Sequence, residues 1–433
     1  MELLDWLWLP FVPILLLLFH QASQSESIRL QRITLTLLAI TVAGWTLVNT
    51  QTAYTNSVAP RPFDFQLYWI YGSAIYDGHS PYDVSALQQA AATLEPCAAM
   101  DAELLFLQTP PSALLYAPLG AFDIQTACVL WYLVQAVVLV GAVVLLSKTF
   151  LSRDGLLGMA LCAVLTLSLP ATRETIWVAQ TNFLILLGLV LFWRSRRHVT
   201  GGFWLATAIL IKPILVLFPV YLFLRRQWKE LSGVVLTGAA LSALTIGILG
   251  PGMFFQYFFD NPIAHQMPAS LYSEGINQSL LATVLRALET EIDSGHAGIG
   301  SAFAIPAVLL TVISGWLIHT RTRNDDELSL AIVLTLSLLL FPKTLSHYSV
   351  LLIVPLLFLW SRRESVPGGA IATGCLITAV FALCATDLAF VANLCSWSFV
   401  CVTAHRARST VTVTDSIPQP ESIRGVALAG PGV

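Results

Sequence analysis

Charged residues are scarce in this 433-residue chain. Only 11% of the residues are Asp, Glu, Lys or Arg, while 56% are hydrophobic. Because a soluble domain carries roughly 25% charged residues, this composition excludes an ordinary soluble enzyme. The 22 Lys and Arg nearly balance the 25 Asp and Glu, so no basic stripe suggests nucleic acid. The seven cysteines form no disulfide or zinc pattern, and all but Cys97 lie in or beside hydrophobic runs, as small core residues do.

Long hydrophobic runs fill most of the chain. A helix of about 17 to 22 apolar residues spans the hydrocarbon core of a membrane. The sequence therefore predicts an all-α polytopic membrane protein with about 11 to 13 transmembrane helices. The first run carries Glu2 and Asp5 and lacks a cleavage site, so we expect a retained helix and not a signal peptide. The candidate spans lie near residues 3–20, 32–49, 125–147, 155–170, 175–193, 231–250, 300–319, 328–342, 347–360, 369–386 and 388–404.

Lys and Arg collect at alternate ends of these runs. Basic flanks are retained on the cytoplasmic side, so the stretches 50–124 and 251–299, with Arg61 and Arg286 as their only basic residues, are predicted to lie outside. The expected organisation is N-terminal transmembrane helices over 1–50, an outside loop over 51–124, a transmembrane bundle with a second outside loop over 125–404, and a Pro- and Gly-rich, disordered cytoplasmic tail over 405–433.

The segment 203–224 breaks this alternation because both of its ends are basic. Pro213 removes a helical hydrogen bond near its middle, which leaves two halves of roughly 9 to 11 residues, each about 15 Å long. We therefore expect a re-entrant hairpin with Lys212 near its tip. An ammonium group at that depth needs an anion or water.

The first outside loop contains RPFDFQLYWIYGSAIYDGHSPYD. Aromatic residues at helical spacing over 64–77 predict an amphipathic helix on the outer membrane surface, with Asp64 at its start. A carboxylate beside apolar rings has the environment that a general base needs. Alternatively, Asp64 only caps the helix. Asp77, His79 and Asp83 lie in a Gly/Pro turn and are interpreted as turn residues.

The segment PATRET places Arg173 and Glu174 at the predicted outer end of two spans. Gln180 and Asn182 follow about one turn into the next helix. An Arg in this position can clamp a phosphate, and buried amides can bind a polar ligand. The Arg173–Glu174 pair could equally serve to anchor the helix at the interface.

Two further junctions carry polar residues. Asn277 stands in an Asn-Gln-Ser run, which is also a weak match to a glycosylation site. FPKTLSHYS contributes His347, which by itself is commonly structural, and Lys343, which favours a cationic pocket. We expect these groups to converge with Asp64 at one outer site for an anionic, lipid-linked ligand. The outside loops contain no Asp-x-Asp motif, so we expect neither a metal nor another cofactor.

Six of these runs, in this order, resemble signatures of glycosyltransferase family 87, a group of polyprenol-phosphate-mannose-dependent α-mannosyltransferases in the GT-C superfamily. The resemblance covers about residues 60–365. It rests on DFQLYWIYGSAIYDGHSPYD, TPPSALLYAPLG, AQTNFLILLGLVLFW, GGFWLATAILIKPILVLFPVYLFLRRQW, NQSL and LSHYS. It implies a GT-C-type bundle and an integral membrane hexosyltransferase. Such an enzyme takes a sugar, mannose being the first expectation, from a polyprenyl-phosphate donor at the outer face and passes it to a glycolipid or glycan acceptor.

The resemblance also implies roles for single residues. Asp64 occupies the place of the catalytic base, and His347 lies in the region of the Ser-Pro-x-Ser-x-x-His pattern. Gln180 and Asn182 match Gly-Gln-x-Asn, although Ala179 replaces the Gly. Lys212 matches Lys-Pro and Asn277 matches Asn-x-Ser, whereas Lys343 and the helix 3–20 depart from the family pattern. The predicted donor-phosphate and substrate-binding set is Arg173, Glu174, Gln180, Asn182, Lys212, Asn277, Lys343 and His347.

Two other classes of function stay open at this point. A secondary transporter or flippase would also carry Lys212, Glu174 and Asp387 in or near the membrane, although the long acidic loop at 50–124 is unusual for a carrier without internal repeats. A scaffold protein would need none of the interfacial polar groups. For the enzyme, we expect a multi-pass protein of a bacterial plasma membrane with its active site facing the exterior.

Overall fold

The computed structural model describes residues 3–58, 62–94, 108–260, 275–288 and 297–406. These residues form helices and no β-strand, which confirms the predicted all-α polytopic fold. The tail predicted to be disordered lies outside the described residues beyond Arg406.

In the first part of the chain the helices are α1 (Leu3–Trp8), α2 (Phe11–Gln24), α3 (Ile28–Val58), α4 (Phe63–Tyr76), α5 (Val84–Ala91), α6 (Ala113–Tyr116), α7 (Ile124–Phe150), α8 (Gly155–Ser168), α9 (Pro170–Trp177) and α10 (Asn182–Ser195). The following helices are α11 (Val199–Ile211), α12 (Leu217–Leu224), α13 (Trp228–Leu249), α14 (Gly252–Phe255), α15 (Leu280–Ala287), α16 (Ala297–Thr320), α17 (Asp326–Leu340), α18 (Ile353–Ser361), α19 (Gly369–Ala385) and α20 (Ala389–Arg406). Short 3₁₀ segments include Pro110–Ser112, Ala117–Ala121, Pro213–Leu215 and Ser346–Leu352.

Five helical stretches of the described chain are long and apolar enough to cross a membrane, namely Trp6–Gln24, Ile28–Val58, Ile124–Phe150, Trp228–Leu249 and Phe303–Thr320. The pair Ser152–Ser168 and Pro170–Trp177, bent by 58°, makes a sixth if it counts as one span. Shorter apolar helices, such as α10 and α19, would have to cross as well to reach the 11 to 13 expected from the sequence. That number stays a prediction.

The helix α17 lies in the interior of the bundle. Every residue from Leu328 to Leu339 is buried, and the helix contacts α12, α18 and α20. A helix that is apolar on all sides is stable only where other elements enclose it. The bundle is therefore arranged around α17.

Several basic junctions meet at one end of the bundle, which we call the basic end. Arg196 and Arg362 both bind Glu327, at 2.6 and 2.8 Å, just where α17 begins. Arg194 donates to the hydroxyl group of Thr149 at 3.2 Å. Junctions that the charge pattern assigns to the same side of the membrane are thus adjacent in space.

The segment 203–224 folds back on itself. Asp326 binds Arg197, which precedes α11, at 2.8 Å, and also Arg225, which follows α12, at 3.3 Å. Both ends of the segment therefore lie at the basic end. Lys212 stands between α11 and the 3₁₀ turn that begins at Pro213, so it occupies the tip that the sequence predicted.

The helix α4 forms where the sequence predicted a helix, but it is more enclosed than a helix lying on a membrane surface. Most of its described side chains are buried, including Phe65, Gln66, Tyr68 and Ile70, although Leu67 is half-buried and Tyr76 is exposed. The segment 117–121 packs directly against the helix. A β-carbon at Gly120 would lie 2.3 Å from the carbonyl oxygen of Gly72, so this close approach requires glycine.

Candidate active site

The turn between α9 and α10 forms the centre of the site. The sequence predicted a continuous helix from residue 175, but α9 ends at Trp177 and α10 begins at Asn182. Gln180 therefore lies in the turn and not inside the helix. The interruption occurs at Ala179, whose φ of +59° is in the left-handed region that a non-glycine residue adopts at a cost.

Two side chains of α7 hold this turn. The indole nitrogen of Trp131 donates to the carbonyl oxygen of Ala179 at 2.8 Å, and Nε2 of Gln135 donates to that of Gln180 at 2.6 Å. Residues four apart share one face of a helix, so the two donors reach consecutive carbonyl groups. They fix the direction in which Gln180 projects.

The side chain of Gln180 binds three groups from two distant parts of the chain, the helix α4 and the tip of the hairpin. Its Nε2 donates to a carboxylate oxygen of Asp64. Its Oε1 accepts from the ammonium group of Lys212 and, at 2.7 Å, from the hydroxyl group of Tyr68. Since a carboxylate only accepts and an ammonium group only donates, the amide has one consistent orientation. A single amide thus separates the anionic group from the cationic group.

Lys212 is only 7% exposed. Its Nζ lies 4.4 Å from the centre of the Tyr348 ring, a cation–π distance. Asp64 and Lys343 are both near enough to interact with it electrostatically. A buried ammonium group needs a compensating partner. The carboxylate of Asp64 and the Tyr348 ring stabilise the charge of Lys212, whereas the like charge of Lys343 opposes it.

Asp64 is the second residue of α4 and is half-buried. The residue that precedes the helix is Pro62, and no side chain caps it, so Asp64 does not act as the cap. By contrast, Asp83 caps α5 through the backbone amides of Ser85 and Ala86. Hydrogen bonds from Ser85 and Ala86 hold the pKa of Asp83 below its usual value, as expected for a turn residue.

A second group of polar residues lies beside the first. The hydroxyl group of Ser346 donates to Oε1 of Glu174, and Nδ1 of His347 is 3.8 Å from the same oxygen. His347 is 1% exposed, and neither ring nitrogen has a hydrogen-bond partner among the described residues. The imidazole is therefore buried with both of its hydrogen-bonding positions open.

Thr175 and Asn182 join the two groups. The carbonyl oxygen of Thr175 accepts from the backbone amide of Gln180 at 3.0 Å, and its hydroxyl group donates to the carbonyl oxygen of His347 at 3.3 Å. The side-chain amide of Asn182 also donates to the carbonyl oxygen of His347, at 3.1 Å. These bonds place the segment containing His347 and Tyr348 against the start of α10.

Asn277 orders the outer rim of the site. It forms an isolated antiparallel bridge with Leu345 and donates to the carbonyl oxygen of Pro342 at 3.0 Å. Its side chain is fully buried, so in the folded protein it is not accessible as a glycosylation acceptor. Lys343 lies in the segment that is bridged to Asn277, and Arg173 lies on α9 next to Glu174. The side chains of Lys343 and Arg173 are half-buried.

Sequence reasoning missed four contributors: Tyr68, Gln135, Ser346 and Tyr348. Gln135 could have been found, because a lone amide in the apolar run WYLVQAVVLV is costly in a membrane unless it has a partner. Ser346 and Tyr348 flank His347 in a motif that was already selected. Tyr68 shows no signal in the sequence that separates it from the neighbouring aromatic residues. Within the described ranges, no group of three or more His, Cys, Asp or Glu residues is arranged to hold a metal ion.

Comparison with known proteins gives one match. The profile of glycosyltransferase family 87 matches residues 106–342, over half of the chain. No curated protein and no solved structure matches. The matched part contains Gln180 and Lys212 but starts after Asp64 and ends before Lys343, so it is shorter than the resemblance read from the motifs. This chain belongs to glycosyltransferase family 87 and is a membrane glycosyltransferase.

Proposed function

We propose that the protein transfers a sugar from a polyprenyl-phosphate donor to a hydroxyl group of a lipid or glycan acceptor, with inversion at the anomeric carbon. Membership of the family supports the glycosyl transfer. The observation that carries the proposal is the arrangement in which Gln180 separates the Asp64 carboxylate from the buried Lys212 ammonium by one amide.

In the proposed reaction the acceptor oxygen attacks the anomeric carbon, and its proton passes to the carboxylate of Asp64. The bond from the anomeric carbon to the phosphate oxygen breaks, and its electron pair stays on the phosphate. A positioned general base contributes about 10² to 10⁴ in rate. Attack on the face opposite the leaving group inverts the centre, so one carboxylate is sufficient, in contrast to the pair in most glycoside hydrolases.

The departing phosphate gains negative charge, and fixed cations stabilise such charge best where water is excluded. Lys212 suits this role because it is buried and faces Asp64 across one amide. Lys343 and the open ring nitrogens of His347 are the further candidates. Arg173 and Glu174 are proposed to bind the substrates at the rim, while Asn182 and Asn277 position the segments that carry these groups.

Mannose is the proposed sugar, following the resemblance to the mannosyltransferases. The proposed location is a bacterial plasma membrane. The basic end lies in the cytoplasm by the distribution of Arg, so that the site opens outside. No metal takes part in the proposed mechanism.

The test uses purified protein in lipid vesicles, with polyprenyl-phosphate-mannose as donor and a membrane glycolipid as acceptor. We expect sugar transfer to the acceptor and its loss in Asp64→Asn, because the amide cannot accept the proton. Asp83→Asn is the matched control. It makes the same change at a capping residue, where Asn serves as well as Asp, and should leave transfer unchanged.

Other outcomes contradict the proposal. Transfer that survives Asp64→Asn removes Asp64 as the base. Movement of the labelled donor across the vesicle membrane, without a new glycosidic bond in the wild type, would indicate a carrier instead. Transfer from other polyprenyl-phosphate sugars but not from the mannose donor would overturn the choice of sugar alone.

A further inference from the structure

A groove of about 560 Å³ lies between α3, α7 and α8, within the range of roughly 300 to 1,000 Å³ that is usual for ligand sites. Its wall is mainly hydrocarbon. Along α7 it extends from Val129 to Val144, which at helical rise is about 22 Å. The groove therefore runs parallel to the helices, in the direction that an extended lipid chain takes in a bilayer.

The groove borders the turn that carries Gln180, at Gln135. This residue lines the groove, and its Nε2 donates to the carbonyl oxygen of Gln180, whose side chain binds Asp64. The groove then continues from Gln135 toward the basic end past Leu139 and Val143. A chain lying in this part would place its head group at the level of Gln180.

Two buried acceptors line the groove without partners. Gln135 is 4% exposed and its Oε1 has no hydrogen bond. Asn49 on α3 is 6% exposed, and its Nδ2 donates to the carbonyl oxygen of Leu167 while its Oδ1 has no partner. An unsatisfied buried acceptor is destabilising, and the bilayer core offers no water to relieve it. Both oxygens suit hydroxyl donors of a bound molecule.

The lack of basic residues in the groove favours the lipid-linked acceptor over the polyprenyl-phosphate donor as its ligand. No Lys or Arg stands among the described residues that line it, so it offers no cation to a donor phosphate. The cations of the site, Lys212 and Lys343, lie elsewhere, around Gln180 and Tyr348. An uncharged, hydroxylated head group matches the two amide oxygens better than a phosphate does.

We infer that this groove binds the hydrocarbon chain of a glycolipid acceptor, whose hydroxyl groups meet Asn49 and Gln135 and then reach Asp64. The inference rests on the proposed function and narrows its acceptor to a membrane lipid. The chain lies between α3 and α7, and the reacting hydroxyl group enters the site beside Gln135.

The test fills the groove and compares two acceptors that have the same sugar head group, one with long acyl chains and one with a short alkyl chain. Ala136→Phe places a ring in the groove. Val137→Phe is the matched control, since Val137 is the next residue on α7, is 73% exposed and does not line the groove. For the long-chain acceptor we expect Ala136→Phe to raise KM roughly tenfold. The short-chain acceptor and the control variant should keep wild-type values.

A second measurement does not depend on turnover. A glycolipid with a photoreactive group in its acyl chain should label peptides of α3 and α7, and Ala136→Phe should abolish this labelling while Val137→Phe preserves it. Labelling without any sugar transfer would reject the proposed function, while the groove would still be identified as a binding site for a glycolipid chain. Transfer with equal KM for both acceptors in every variant overturns the inference. The inference is also overturned if the rise in KM of Ala136→Phe depends on the chain length of the donor instead of that of the acceptor.

Discussion

The side-chain amide of Gln180 donates a hydrogen bond to the carboxylate of Asp64, which lies 116 residues earlier in the chain. The same amide accepts from Lys212. The separation of the two charged groups is therefore set by a turn that belongs to neither of their helices. Trp131 and Gln135, both on α7, hold the turn that carries Gln180. The helix α7 therefore controls the geometry of the site without contributing a charge.

Replacement of Gln180 by Leu should impair the chemical step more than binding. Leu has a similar size but neither donates to Asp64 nor accepts from Lys212, so both charged groups lose their fixed positions. We expect kcat to fall about 100-fold, the lower limit for a mispositioned general base, with a smaller change in KM. Steady-state kinetics in lipid vesicles measure this split. Gln125→Leu, at an exposed position at the start of α7, should have no effect, and an equal loss in both variants would contradict the assigned role.

Lys212→Met should reduce kcat/KM for the donor by about 10²- to 10³-fold, as removal of a preorganised stabilising group does. Met keeps the length of the side chain but lacks the charge. Lys212→Arg should not restore activity, because the guanidinium group is larger and planar and Lys212 is enclosed by Gln180 and Tyr348. Lys229→Met, an exposed position at the basic end, is the control. A Lys212→Met enzyme with normal kcat/KM and normal melting temperature would remove Lys212 from the mechanism.

Ala179→Gly should stabilise the protein. Its φ of +59° costs a non-glycine residue about 1 to 2 kcal/mol, whereas added freedom of the unfolded chain costs about 0.4 to 1 kcal/mol. The free energy of unfolding should therefore rise by up to about 1.6 kcal/mol, seen as a higher melting temperature in detergent. Ala160→Gly makes the same change inside α8, where it should destabilise by about 1 kcal/mol. If both variants lowered the free energy of unfolding, the backbone at Ala179 would not be strained.

Asp326→Asn should weaken the hairpin that carries Lys212. Its side chain is 12% exposed and binds Arg197 and Arg225 at the two ends of the hairpin. We expect the free energy of unfolding to drop by about 1 to 2 kcal/mol, and activity to fall although Asp326 is at the opposite end of the hairpin from Lys212. Glu364→Gln, with a side chain 70% exposed, should change neither quantity. Normal melting and activity in Asp326→Asn would show that other contacts hold the hairpin.

Much of the architecture could be predicted because bilayer crossing imposes strong local rules. Apolar runs and alternating basic flanks indicated the membrane helices, and the basic ends of 203–224 together with Pro213 indicated the hairpin. A helix over 64–77 was also predicted, close to the observed bounds of α4, but its enclosure was not. Its packing depends on the contact between Gly72 and Gly120, and such contacts between separate segments leave no periodic signal.

The site was predictable only in its parts. Asp64, Gln180, Lys212 and His347 were noted because polar groups are costly beside apolar helices, and their roles in the site were assigned from the resemblance to the family's motifs. The break before Asn182 was not foreseen, since a left-handed residue occupied by Ala gives no local signal, whereas a glycine would have given one. The bridge between Asn277 and Leu345 joins parts of the chain that no short-range pattern connects.

The amino-acid sequence alone determined that this is a helical membrane protein, that the segment 203–224 turns back at Lys212 and Pro213, and which few polar side chains it cannot place in lipid without partners. These are consequences of transfer energies, which act residue by residue. Only the tertiary structure decided that Gln180 stands between Asp64 and Lys212, and that an apolar groove borders the turn carrying Gln180, at Gln135. Those arrangements depend on the packing of helices far apart in the chain, where hydrogen-bond geometry and not composition selects the partners.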